Sequence, residues 1–72
     1  MTFNTLQIIH RLLVEEERRT FEIKEAARKA WHDAEDLTGE EAPEQVDAFR
    51  ATSREYQEVL DALNEFVHTE WR

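Results

Sequence analysis

The sequence predicts an all-α fold: a two-helix antiparallel hairpin, coiled-coil-like, that dimerises into a four-helix bundle. Three observations carry that expectation. Apolar residues repeat every seven positions in each half of the chain, the pattern of two packed helices. One Gly and one Pro, at Gly39 and Pro43, mark a single turn between the halves. Charged residues make up 36% of the chain and hydrophobic ones 40%, too apolar and too periodic for a disordered tail.

The first helix spans about 4–37. Leu6, Leu13, Thr20, Ala27 and Ala34 share one heptad position, and Ile9, Glu16, Ile23, Ala30 and Leu37 share the other. Asn4 or Thr5 supplies the side-chain oxygen that accepts the first orphan N–H groups. Charges fill the outer face, where Arg11–Glu15, Glu15–Arg19, Arg18–Glu22, Glu25–Lys29 and Lys29–Asp33 pair at four-residue spacing. The run Glu15-Glu16-Glu17-Arg18-Arg19 reads as a solvated helix face.

The turn spans about 38–43. Gly39 adopts the left-handed conformation that ends helices, and Pro43 suits the first position of the next. Helix two covers about 43–70, with Val46, Ser53, Leu60 and Val67 at one heptad position and Phe49, Tyr56, Leu63 and Glu70 at the other. Val59 and Phe66 widen this stripe beyond a two-stranded seam, as a helix inside a bundle requires.

Folding about the turn pairs Leu37 with Val46, Ala34 with Phe49, Ala30 with Ser53, Ala27 with Tyr56, Ile23 with Leu60 and Thr20 with Leu63. Residues 3 to 10 then run past the end of helix two. Two helices bury only one strip each, so a second copy is expected to close the bundle. The expected oligomer interface is Phe3, Leu6, Ile8, Ile9, Leu12 and Leu13. Val14 and Phe21, aligned with Phe3 away from the seam, form a candidate partner face.

Seventy-two residues make one domain, 1–72, without cysteine for a disulfide or a thiolate metal site. Net charge is −8, which argues against direct nucleic-acid binding. No apolar run reaches the roughly 20 residues of a membrane span. The start, Met1-Thr2-Phe3-Asn4, lacks the basic and apolar regions of a signal peptide, so a cytoplasmic location is expected, in a bacterium or an infected host cell.

Three patterns invite a catalytic or metal reading, and each has a plainer explanation. Glu65-Phe66-Val67-His68 has the Glu-x-x-His spacing of di-iron bundles, yet Glu65 and His68 lie opposite Leu60, Leu63 and Val67 and face water. Glu22 with Glu25, and Glu58 with Asp61, resemble in spacing the Mg²⁺-binding carboxylates of helical nucleotide pyrophosphatases. They too lie off the seam, and Mg²⁺ needs carboxylates that converge. His32-Asp33-Ala34-Glu35-Asp36 lacks a pocket. With no Cys nucleophile and no phosphate-cradling loop, neither an enzyme nor a cofactor is expected.

Charge is uneven. Residues 1–37 hold eight acids and six bases, whereas 38–72 hold nine acids and three bases. Glu44, Asp47, Glu58, Asp61 and Glu65, with Glu55 at the margin, form an outward acidic stripe on helix two. Neighbours there lie about 5–6 Å apart, near the spacing of backbone phosphates. The leading expectation is a non-enzymatic protein–protein interaction module, a homodimeric hairpin that regulates or inhibits a partner protein. The alternative is a nucleic-acid-mimicking inhibitor of a basic nucleic-acid-binding protein, similar in size and charge to small phage or mobile-element proteins. A weaker alternative is an RNA-binding hairpin dimer, similar in architecture to plasmid copy-number regulators. Arg11, Arg18, Arg19, Arg28 and Lys29 would then form its basic face.

Overall fold

The computed structural model describes residues 2–70. It is all-helical: α1 (Phe3–Thr38) and α2 (Pro43–Thr69) pack side by side, with no strand among the described residues. The pair forms a rod of 54 × 15 × 13 Å. Its radius of gyration of 16.3 Å exceeds the ~11 Å of a compact 72-residue domain.

α1 begins at Phe3, one residue before the expected start near 4. Its cap is Thr2, not Asn4 or Thr5: the Thr5 backbone N–H donates to Thr2 Oγ1 at 3.3 Å. Phe3 already belongs to the helix, so the helix start does not coincide with the first seam residue, Leu6. At the other end Gly39 sits at φ 69° and its N–H reaches the Glu35 carbonyl at 2.7 Å. Thr38 Oγ1 accepts from the Glu40 N–H at 3.2 Å, and Pro43 opens α2 with Glu44 in its first turn. These contacts satisfy groups that helix ends otherwise leave orphaned.

The inner face of α1 departs from a strict heptad. Leu6, Ile9, Leu13, Glu16, Thr20, Ala27 and Ala34 are sheltered as expected, but past Thr20 the shelter passes to Lys24 and Trp31. Ile23 and Ala30 are exposed, and Leu37 is 86% exposed. The cause is the helical period. An unsupercoiled helix turns every 3.6 residues, so a seven-residue repeat drifts about 20° per heptad. After 18 residues the face returns, which carries Leu6 to Lys24 and Leu13 to Trp31. α2 keeps its expected stripe through Val67, widened by Gln45, Thr52, Val59 and Phe66, whereas Glu70 is exposed and caps the helix.

Aromatic contacts fix the register. Trp31 packs on Phe49 with ring centroids 5.6 Å apart, Phe21 on Tyr56 at 5.7 Å, and His10 on Phe66 at 6.3 Å. Lys24 Nζ lies 4.8 Å from the Tyr56 ring centre, a cation–π contact. Tyr56 Oη donates to Glu17 Oε1 at 2.9 Å across the helix pair. Phe49 and Tyr56 therefore meet residues about a turn nearer the α1 N-terminus than Ala34 and Ala27. Trp31 occupies the space the expected register gave to alanine. α2 also reaches further along α1, so His10 is covered by Phe66 rather than overhanging.

Little is buried. Among the described apolar side chains only Phe66, 8% exposed, and Ala42 are enclosed, and no described side chain is fully buried. Thr20 is sheltered at 3% exposure, its hydroxyl donating to the Glu16 carbonyl at 2.8 Å. Ser53 Oγ is buried with no hydrogen-bond partner.

Candidate interaction surface

At about 100° per residue, α1 presents three strips. The inner strip, with Leu6, Ile9 and Leu13, packs toward α2 and is half-buried. One flank carries Ile8, Leu12, Ile23, Ala26, Ala30 and Leu37 within about 60° of arc, all exposed. Ile8 is 48%, Leu12 54% and Ile23 40% exposed. The opposite flank carries Phe3, Val14 and Phe21. Val14 and Phe21 are both exposed, and Phe21 leans across the seam onto Tyr56. The six residues expected at an oligomer interface thus divide among strips: Leu6, Ile9 and Leu13 inward, Ile8 and Leu12 on one flank, Phe3 on the other.

The Ile8–Leu12–Ile23 flank continues onto α2. By the same angular count Ala48, Glu55, Val59 and Ala62 lie beside it. The electrostatics agree, since Glu55 acts on Arg19 across the hairpin. The result is a broad face of aliphatic and alanine side chains with one charged group near its middle. There Arg19 Nε donates to Glu16 Oε2 at 3.0 Å, and Arg19 Nη2 pairs with Glu16 Oε1. That bidentate contact holds the Glu16 carboxyl below its ordinary pKa and the Arg19 guanidinium above its own. The ion pairs form at three-residue spacing, Glu16–Arg19 and Glu25–Arg28, rather than at the expected four. A shallow depression bounded by Ile9, Leu12, Leu13, Glu15, Glu16 and Arg19 adjoins the charged pair.

The acidic stripe lies on the outer side of α2. Glu44, Asp47, Glu55, Glu58, Asp61 and Glu65 are all exposed, and Asp61 Oδ1 accepts from Gln57 Nε2 at 2.9 Å. Arg54 falls inside the stripe, between Asp47 and Glu58, with Arg50 at its edge. Those cations break the run of negative charge that phosphate mimicry requires.

The residues weighed for metal chemistry do not converge. Glu22 and Glu58 point to opposite outer sides of the hairpin, Glu25 pairs with Arg28, and Glu65 and His68 are exposed. Glu35 Oε1 accepts from Trp31 Nε1 at 2.7 Å, and His32 stacks on the Trp31 ring at 4.9 Å. Among the described residues no group of three or more His, Asp or Glu is arranged to hold a metal ion. Nor is any helix long and apolar enough to cross a membrane.

No family model matches the chain, and neither a curated protein nor a solved structure shows significant similarity to it. Its chemistry is therefore read from its own side chains. Three features escaped the reading of the sequence: Trp31 as the inner aromatic of α1, the Tyr56–Glu17 hydrogen bond, and the Glu16–Arg19 pair facing Glu55. The 18-residue return from Leu13 to Trp31 is visible in the sequence. The other two depend on the register.

Proposed function

We propose that the chain is a non-enzymatic interaction module, a homodimeric helical hairpin whose two copies form a four-helix bundle. The observation that carries this reading is the area the hairpin leaves in water. A compact monomer of 8.6 kDa exposes about 4,700 Å². This chain exposes 5575 Å². The excess, ~900 Å², is close to the ~800 Å² per partner that a stable interface covers. It includes exposed aliphatic side chains, which a small domain without disulfides has every reason to cover.

In such a dimer the acidic outer side of α2, apart from Glu55 at its margin, stays in solvent, twice over. It is the surface on offer to a protein partner of basic character, which the dimer would regulate or inhibit. Arg54 and Arg50 make general phosphate mimicry the less favoured form of that interaction.

Light scattering on the purified chain tests the dimer. A mass near twice 8.6 kDa at tens of micromolar is expected. A monomer with a cooperative melt refutes it. The stripe is tested with Glu58→Lys, Asp61→Lys and Glu65→Lys combined. Partners captured from cell extract by the original chain are lost by the triple variant, and equal capture removes the stripe from the reading.

A further inference from the structure

Resting on the dimer proposed above, we infer which face the second copy covers and where the two-fold axis passes. The structure assigns the Ile8–Leu12–Ile23 flank to an isologous interface, α1 against α1 and antiparallel, with the axis crossing beside Arg19.

The face is graded, with Ile8 and Leu12 toward the α1 N-terminus and Ala26 and Ala30 toward its C-terminus. A two-fold axis beside Arg19, perpendicular to the helices, sets Leu12 opposite the second copy's Ala26 and Ile8 opposite its Ala30. Large then meets small at both of these levels, and the same contacts recur on the other side of the axis. An axis along the helices instead keeps levels unchanged. It crowds Leu12 against the level of Phe66 and leaves Ala30 facing Ala48 across a void.

α1 also offers a hole of the right shape. Four of the residues bounding the depression on α1 are Leu12, Glu15, Glu16 and Arg19, spaced as a knobs-into-holes site. With the axis beside Arg19, the side chain delivered to it is the second copy's Ile23. On one chain Ile23 is 40% exposed. The steric pairing and the hole thus select the same register independently.

Charge agrees with this register. The axis brings the two Glu16–Arg19 pairs together with both Glu55 side chains, so the two guanidiniums meet among four carboxylates.

The chain holds no cysteine, so engineered thiols report geometry without background. With the axis at Arg19, the two copies of residue 12 lie about 21 Å apart, as do the two copies of residue 26, far beyond disulfide reach. Mild oxidation of an equal mixture of Leu12→Cys and Ala26→Cys chains is expected to give a covalent heterodimer, while either variant alone stays uncoupled. Arg19→Cys alone is expected to couple to itself. A dimeric mass by light scattering with Leu12→Cys or Ala26→Cys coupling to itself, or with no coupling in the mixture, overturns this face and register but leaves the dimer standing. A monomeric mass for the unsubstituted chain overturns both. Circular dichroism at equal helicity confirms that each variant folds.

Discussion

Leu37 and Trp31 test whether the helices meet along a 3.5- or a 3.6-residue period. In a strict heptad Leu37 is a seam residue and Trp31 lies outside. In the structure Leu37 is 86% exposed, while Trp31 is half-buried against Phe49 at 5.6 Å. Trp→Ala at an enclosed core position costs about 3–5 kcal/mol. Half-burial brings the expected cost of Trp31→Ala to about 2 kcal/mol, on area-proportional grounds. Leu37→Ala removes a solvated side chain and keeps a strong helix former, so it stays within about 0.5 kcal/mol of the original. For a domain of this size each kcal/mol moves Tm by about 4–8 °C, which separates the two variants by roughly 8–16 °C. Urea and thermal melts followed by circular dichroism at 222 nm read this difference, because tryptophan fluorescence changes with the substitution itself. Protein concentration is held fixed, since self-association couples to stability. Leu37→Ala as costly as Trp31→Ala would refute the drifted seam, and with it the flank on which the dimer face is drawn.

Three further outcomes follow from single features. Ser53→Ala removes a buried hydroxyl that has no partner, and should raise stability by about 1 kcal/mol in urea melts. Gly39→Ala places a side chain at φ 69°, and although nothing crowds it the backbone strain should cost about 1 kcal/mol in the same melts. Tyr56 gives a pH signature. Its hydrogen bond to Glu17, burial and the Glu17 charge hold the phenol above its ordinary pKa of 10.0. A raised phenol pKa favours the neutral form in the fold, so its stabilisation is complete below pH ~10 and is lost as pH rises through the folded value. Tyr56 is the sole tyrosine, so absorbance at about 295 nm should show one phenol titrating above 10 in the folded chain. Glu17→Gln should move it back toward 10.

The hairpin was legible because its punctuation is unambiguous. Gly39 and Pro43 each do what their chemistry allows best, and α2 wears its inner stripe in heptads that a 27-residue helix does not outrun. α1 is longer, 36 residues, and there the drift between seven residues and two turns accumulates until it matters. One heptad position keeps its place through Thr20, Ala27 and Ala34, while past Glu16 the other moves one residue along, from Ile23 to Lys24 and from Ala30 to Trp31. Lys24 was hidden by its charge. It reaches the seam because its stem is apolar and its ammonium rests over Tyr56. The exchange across from Glu17 to Tyr56, and from Arg19 to Glu55, belongs to the register, which no local pattern specifies.

The same drift explains why there is a second face at all. Had α1 supercoiled around α2, Ile23 would have stayed in the seam and the flank would have lost its central aliphatic side chain. Because the helix keeps its own period, Ile23 leaves the seam and joins Leu12 on the outside, and Trp31 takes the inner place that Ala30 vacates. One geometric fact thereby moves an aromatic residue inward, where it packs on Phe49, and an aliphatic one outward, where it is 40% exposed. The rod leaves about 900 Å² more surface in water than a compact domain of its mass, and this flank is the part of that surface to which the proposed second copy is assigned.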